Sequence, residues 1–264
     1  VKFDIGEINN LLNRFFPAGF YYKTFMWPKS FWYKIYEPVI RKAAGMGIAP
    51  LKPDPDRYEH NYEHCDVLVV GSGPSGLASA LAAAKNGAKV ILAEDKAHFG
   101  GSLLNDDVTI GNMSGREWAS DVISQLKNLP NVIVKNRSQV FGYYDHNMTV
   151  MFERVSDHIE NPNKYTPRQR LHYIRAGEVI VSTGSIERPI SFGNNDRPGI
   201  LLASAAREYM KIYETLVGKK PIIFTNNDTA YSTALEFLKN NITPIILDTR
   251  NNSDGELVKE VQNL

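Results

Sequence analysis

The strongest constraint on this chain lies between Asp66 and Glu94, where an apolar strand, a glycine-rich turn, an alanine-rich helix and a second apolar strand follow one another. The turn reads G-S-G-P-S-G at residues 71–76, and Glu94 ends the second strand 18 residues after the last glycine. Short, wholly apolar strands separated by a helix are typical of a parallel sheet buried on both faces. This order of elements predicts a dinucleotide-binding β-α-β unit.

Each glycine of the turn has a separate role in this chemistry. Gly71 permits the tight turn, Gly73 lets the backbone approach a pyrophosphate, and Gly76 lets the helix pack closely on the strand. The diphosphate then lies on amide groups at the helix N-terminus, where the helix dipole favours anions. Glu94 is placed to accept hydrogen bonds from a ribose diol. Its charge disfavours a 2′-phosphate, so NAD or FAD is expected rather than NADP.

The same pattern recurs 154 residues later without a gap. Residues 68–76 align with residues 222–230, and the same register places Asp248 opposite Glu94. A match of strand, turn, helix, strand and terminal acid indicates two Rossmann-type units. The expected fold class is therefore α/β, of the paired FAD/NAD(P)-binding type.

The second copy lacks the glycines of the first, which Thr225, Asn227 and Ala230 replace. A Cβ at the first two positions obstructs the tight turn and the approach of a pyrophosphate. The second unit is therefore predicted to be degenerate, a structural relic without the usual dinucleotide binding. A site for another polar ligand at residues 226–228 is the alternative interpretation.

Residues 1–62 differ from the rest of the chain. Half of the positions from Phe15 to Tyr36 are aromatic, prolines interrupt the segment, and K-P-D-P-D at residues 52–56 reads as an extended linker. Aromatic rings anchor interfaces, so an arm lying across another surface and rings that fill this chain's own core are both open. The expected domains are an arm and linker at 1–62, a nucleotide-binding domain at 63–190, and a degenerate, incomplete second domain at 191–264.

Composition excludes several classes of function. Thirty basic against 29 acidic residues give a net charge of +1, so no global charge recruits nucleic acid or an anionic membrane. The single cysteine, Cys65, excludes an intrachain disulfide, a Cys-x-x-Cys redox pair and a cysteine-built zinc site. The six histidines lack metal-ligand spacing and no nucleophile motif exists, so we assign neither a metal nor a catalytic residue. No apolar run approaches the ~20 residues of a membrane helix, and a cytoplasmic protein is expected.

Two further stretches are candidates for nucleotide contact. Gly100 and Gly101 follow Glu94 closely, and Ser102 offers a hydroxyl to a phosphate or ribose, although a flexible turn is an alternative. Thr183 and Gly184 end a buried strand, a pattern common where paired nucleotide domains join.

Several longer motifs resemble the alpha-subunit family of heterotetrameric sarcosine oxidases. They are P-A-G-F-Y-Y-K-T-F-M-W-P at 17–28, F-G-Y-Y-D-H-N at 141–147, I-E-R-P at 186–189, N-N-D-R-P-G at 194–199 and T-N-N-D-T-A-Y at 225–231. The resemblance spans essentially the whole chain and is more specific than the glycine pattern. The alpha subunits of opine oxidases share parts of it.

This resemblance implies a complex that oxidises sarcosine to glycine with O2, releases H2O2 and passes the methyl carbon to tetrahydrofolate. In the family, the alpha subunit holds NAD that does not turn over. FAD and covalent FMN belong mainly to the beta subunit and its interface with alpha, and the implied partners are the beta, gamma and delta subunits. An N-terminal ferredoxin-like domain and a C-terminal folate-binding domain of the family are missing, so this chain is not expected to carry the folate chemistry.

Carried over by this resemblance, the NAD contacts fall on Ser75 in the turn, on Glu94, Asp95 and Lys96 after the second strand, and on Ser102, with an adenine contact at Val140. The rival hypotheses are an independent FAD-dependent NAD(P)H oxidoreductase and a nonenzymatic dinucleotide-binding module. The full set of candidate cofactor-binding residues is Gly71, Gly73, Pro74, Ser75, Gly76, Glu94, Asp95, Lys96, Gly100, Gly101, Ser102, Val140, Thr183 and Gly184.

Overall fold

The computed structural model describes residues 11, 12, 14, 19, 25 and 27–264, which divide into two compact units, 1–55 and 56–264. In the first unit, a 3-10 turn (Lys29–Phe31) and a π-helical turn (Trp32–Tyr36) lead into helix α1 (Glu37–Ala43). None of the residues in these three elements is buried, so their rings do not fill a core of their own unit. Part of the predicted aromatic arm, including residues 15–18 and 20–24, lies outside the described residues.

The second unit is an α/β structure built on a six-stranded sheet. Its helices in chain order are α2 (Pro74–Lys85), α3 (Gly115–Asn128), α4 (Ala203–Ile212), α5 (Tyr231–Lys239) and α6 (Glu256–Gln262). Its strands are β1 (Tyr58–Val70), β2 (Val90–Ala93), β3 (Thr109–Ile110), β4 (Met113–Ser114), β5 (Val132–Lys135), β6 (Ser138–Tyr144), β7 (Met148–Arg154), β8 (Gln169–Val181), β9 (Ile222–Thr225) and β10 (Ile245–Asp248).

The large sheet has the order β5-β2-β1-β8-β7-β6. The first four strands are parallel, and β7 and β6 continue the sheet in antiparallel pairing. Helices α2 and α3 pack against one face through an apolar cluster that includes Leu77 and Leu126. On the other face, Met151 of β7 and Ile174 of β8 pack with Leu68 and Ile91. Burial on both faces explains why β1 and β2 end as continuous apolar runs.

Strands β1 and β8 are longer than the sequence predicted. Each has 13 residues, and they pair in parallel from Tyr58 opposite Gln169 to Val70 opposite Val181. The sequence predicts only the apolar ends of these strands, because the first halves are rich in polar and charged residues and lack a continuous apolar run. Residues 58–62, assigned to the linker, are therefore part of β1, and the compact unit begins at residue 56 rather than 63.

The second copy of the repeat forms a small sheet of its own. Strands β9 and β10 pair in parallel, and helices α4, α5 and α6 contribute to an apolar cluster on one face. The other face exposes Ile222, Phe224, Ile245 and Leu247. The predicted strand-helix-strand repeat is confirmed. Among the residues described, this second sheet contains only β9 and β10.

A cluster of charged side chains joins three neighbouring strands of the large sheet. Its members are Glu63 of β1, Glu153 of β7 and His172 of β8. The His172 ring is fully buried, with Nδ1 2.7 Å from Glu63 Oε1 and Nε2 2.7 Å from Glu153 Oε2. Burial alone lowers the pKa of His172, but the hydrogen bonds to Glu153 and Glu63 outweigh burial and raise it above the ordinary value. Burial likewise opposes the charge of Glu153, yet His172 and Lys135 hold the pKa of this carboxyl at about 2.

Replacing His172 by leucine should lower the free energy of unfolding by about 3–5 kcal/mol, because it leaves two partly buried carboxylates without their shared partner. Urea denaturation at pH 6 measures this, with His60→Leu, on an exposed position of β1, as the control. The stabilisation by wild-type His172 should be complete below about pH 6.5 and decline as pH rises through its raised pKa. A leucine variant as stable as the wild type at pH 6 would contradict this assignment.

Candidate dinucleotide site

The turn at residues 71–76 connects the end of β1 to the start of α2, and two of its glycines are required by the fold itself. Gly71 has φ +96°, and a Cβ built on it lies 2.4 Å from the carbonyl oxygen of Ser182. A Cβ built on Gly76 lies 2.0 Å from the carbonyl oxygen of Gly71. Neither contact is possible for a real side chain, so the turn needs glycine at both positions.

Gly73 is different, because nothing in the described structure prevents a side chain there. Its φ of −66° and ψ of −178° are open to any residue, and a Cβ built on it has no heavy atom within 4 Å. The space beside Gly73 is therefore open at the N-terminus of α2, where amide groups favour an anion. This open cradle fits a diphosphate held close to the backbone.

Ser72, between the first two glycines, is a residue that the sequence analysis missed. It is fully buried, and both its amide and its Oγ donate hydrogen bonds to Oε2 of Glu94, at 2.9 Å and 2.5 Å. The amide of Gly100 donates to the carbonyl oxygen of Ser72 at 3.1 Å. Ser72 thus joins the glycine turn, the acid after β2 and the Gly100–Gly101 loop. A small hydroxyl residue between the two glycines was the available signal.

Glu94 is only 6% exposed, and much of its hydrogen-bonding capacity serves the protein. Besides the two bonds from Ser72, its Oε1 accepts the amide of Lys96 at 3.0 Å. Burial raises the pKa of Glu94, but hydrogen bonds from Asp95, Ser72 and Lys96 outweigh burial and lower it below the ordinary value. The hydrogen bond to Glu94 raises the pKa of Asp95. Acceptance of a ribose diol by Glu94 stays a prediction.

The structure brings the other predicted residues to the same edge of the sheet, where β1, β2 and β8 end. Thr183 and Gly184 directly follow β8, and the amide of Ser182 donates to the carbonyl of Val70. Gly101 lies against Gly73, since a Cβ built on it is 2.9 Å from the Gly73 Cα. Ser75 lies in the first turn of α2, and Ser102 lies in the 3-10 turn at residues 101–104. Both residues are exposed.

Val140 lies on β6, and this strand starts beside Glu94, the residue that follows β2. The amide of Ser138 donates to the carbonyl oxygen of Glu94 at 2.7 Å, and Val140 follows two residues later. Its side chain is half-buried and packs against the apolar cluster of β1 and β2. The strand is therefore placed next to the site, whereas an adenine contact by Val140 stays a prediction.

The corresponding groove of the second copy contains a cation of the chain itself. The guanidinium of Arg250 lies 2.7 Å from Asp228 in the turn and 2.7 Å from Asp248, the counterpart of Glu94. Asn227, the counterpart of Gly73, accepts the amide of Thr229 at 3.0 Å with its side chain. Side chains thus lie where the first copy is open, as expected from the loss of glycine.

Known proteins are similar to this chain both over the first β-α-β unit and over most of its length. Residues 66–155 match the family model described as FAD dependent oxidoreductase. A sarcosine oxidase subunit alpha of Rhizobium meliloti is 49% identical over 89% of this chain, and one of Corynebacterium is 36% identical over 78%. The chain is a homologue of sarcosine oxidase alpha subunits. It spans about a quarter of their length, 24% and 22% respectively.

Solved structures agree on the fold. An L-proline dehydrogenase from P.horikoshii superposes with a TM-score of 0.60 at 21% identity, over 80% of this chain and 40% of that one. A thioredoxin reductase from Lactococcus lactis gives 0.50 at 17% identity, over 74% and 60%. At these identities the likeness extends to the fold alone, and it confirms the predicted mixed α/β class.

Two searches of the described residues give negative results. No described helix is long and apolar enough to cross a membrane. Within the same residues, His, Cys, Asp and Glu side chains form no group of three that could hold a metal ion.

Variants at two glycines of the turn should separate a structural from a ligand-binding role. Gly76→Val should lower the free energy of unfolding by about 3 kcal/mol or more, because its Cβ meets the Gly71 carbonyl. Gly73→Val should cost only about 1 kcal/mol, since valine is a poor helix N-cap but its Cβ meets no atom within 4 Å. Chemical denaturation measures both. Equal losses would show that Gly73 is also needed by the fold.

Proposed function

We propose that this chain is the dinucleotide-binding region of a sarcosine oxidase alpha subunit, with NAD held at the first β-α-β unit. The observation that carries the proposal is Gly73, a glycine that the fold does not require beside an open cradle at the N-terminus of α2. A bound pyrophosphate is the physical reason for glycine at this position. The homology to alpha subunits supports the choice of family.

In this proposal each part of the site holds one part of the ligand. Gly71 and Gly76 shape the turn, and the amides beginning at Ser75 bind the diphosphate. Glu94 and Asp95 lie at the ribose end, and Val140 at the adenine end. When bound, the dinucleotide supplies the redox-active ring, while these residues hold its ADP portion.

FAD in the same cradle is the second candidate, and the match of residues 66–155 to FAD dependent oxidoreductases favours it. Both ligands share the ADP portion, so the turn and Glu94 do not distinguish them. The absorbance spectrum of the purified chain does, because bound flavin absorbs visible light and NAD does not.

The chain should bind NAD or FAD through the first unit alone. Gly73→Val should abolish binding, measured by equilibrium dialysis, because a branched side chain then fills the pyrophosphate cradle. Asn227→Val, the matched change in the second unit, should leave affinity within about twofold. Loss of binding in the folded Asn227 variant would show that the site has been assigned to the wrong unit.

The oxidation of sarcosine and the transfer of its methyl carbon to tetrahydrofolate are proposed for the assembled complex with beta, gamma and delta subunits. We also propose that this complex is located in the reducing cytosol, because this chain contains a single cysteine. We assign no catalytic residue in this chain.

The purified chain should accordingly form no H2O2 from sarcosine and O2, because the family resemblance places the reacting flavin with another subunit. A peroxidase-coupled assay measures this, with added H2O2 as the positive control. Peroxide formation that depends on sarcosine and persists through rigorous purification would show that the chain is itself an oxidase.

A further inference from the structure

Helix α4 contacts the charged segment that follows β2, residues 94–96. Both carboxylate oxygens of Glu208 contact Nζ of Lys96, at 2.7 Å and 2.8 Å. The amide of Lys96 in turn donates to Glu94, so this lysine is fixed directly beside the acid at the predicted ribose end of the site. Glu208 therefore fixes the direction of a cation that borders the nucleotide groove.

The internal repeat provides a comparison for Lys96, because the second copy has a cation, Arg250, at the corresponding position. At the offset of 154, Lys96 aligns with Arg250, Pro74 with Asp228 and Glu94 with Asp248. Arg250 lies across the groove of the second copy, between Asp228 of the turn and Asp248. In the first copy Lys96 is paired with Glu208 instead, and the space beside Gly73 in the turn stays open.

The ion pair between Lys96 and Glu208 also determines the charge near the 2′-substituent of a bound ribose. Glu94 and Asp95 are carboxyl groups, and Lys96 is the cation of the same segment, its charge already paired by Glu208. Arg154 lies nearby and donates to the carbonyl oxygen of Asp95 at 2.6 Å. Recognition of a 2′-phosphate needs a cation that is available to the phosphate, whereas a 2′-hydroxyl needs an acceptor.

We propose that Glu208 is a positioning residue that determines cofactor specificity: by pairing with Lys96, it denies a 2′-phosphate its counter-ion and favours a dinucleotide with a free ribose diol. This inference rests on the proposed binding of a dinucleotide at residues 71–76. It assigns a role in the first site to a helix that precedes the second strand-helix-strand unit.

The test uses the full chain and two probes, ADP-ribose and 2′-phospho-ADP-ribose, which measure the 2′-substituent for NAD-type and FAD-type ligands alike. Their dissociation constants are measured by calorimetry. The wild type should prefer ADP-ribose, and Glu208→Gln should reduce that preference about three- to tenfold by freeing one partly exposed cation. In the double variant Glu208→Gln, Lys96→Met the preference should return to that of Lys96→Met alone.

Glu236→Gln is the matched control, because it removes one carboxylate that is paired with Lys211 and Lys239 rather than with Lys96. Its preference should equal that of the wild type. An unchanged preference in Glu208→Gln, or an equal change in Glu236→Gln, would overturn the role of Glu208 while leaving dinucleotide binding intact. A folded wild type that binds neither probe would overturn the proposed function, and this inference with it.

Discussion

The site depends on the buried hydrogen bonds between Ser72 and Glu94. An ionised carboxylate in the interior is costly unless donors surround it, and here the amide and hydroxyl of Ser72 and the amide of Lys96 supply them. These bonds join the turn after β1 to the end of β2. The acid thus holds the glycine turn in shape before any ligand is considered, and the Gly100 loop is attached to the same serine.

The two halves of the repeat show how one scaffold serves two purposes. Leu68 and Ile91 are fully buried and pack with Met151 of β7 and Ile174 of β8, whereas their counterparts Ile222 and Ile245 are 62% and 58% exposed. The turn of the first half is open at Gly73, and that of the second contains side chains and Arg250. Sequence symmetry therefore extends to the strands and helices, while burial and groove contents differ between the halves.

Helix α4 connects these halves through charge. Besides Glu208 and Lys96, it contributes Arg207, whose guanidinium lies 3.1 Å from Asp106, and Lys211, which pairs with Asp107. Arg207 is largely buried and also donates to the carbonyl oxygen of Thr229. Polar contacts thus link the loop after the first site to helix α4, and helix α4 to the second turn, where Met210 and Ala230 also share an apolar cluster.

The sequence by itself determined the β-α-β units, the glycine turn, the acid after β2 and the repeat, because each depends on local pattern: apolar periodicity, glycine positions and a fixed spacing. It did not determine the first halves of β1 and β8, which are held as strands by their pairing with each other and by the pairing of β8 with β7. Nor could it identify Ser72, Glu208 or His172 as partners of Glu94, Lys96 and the Glu63–Glu153 pair. Those contacts join residues far apart in the chain, and only the tertiary structure brings their polar atoms within hydrogen-bonding distance.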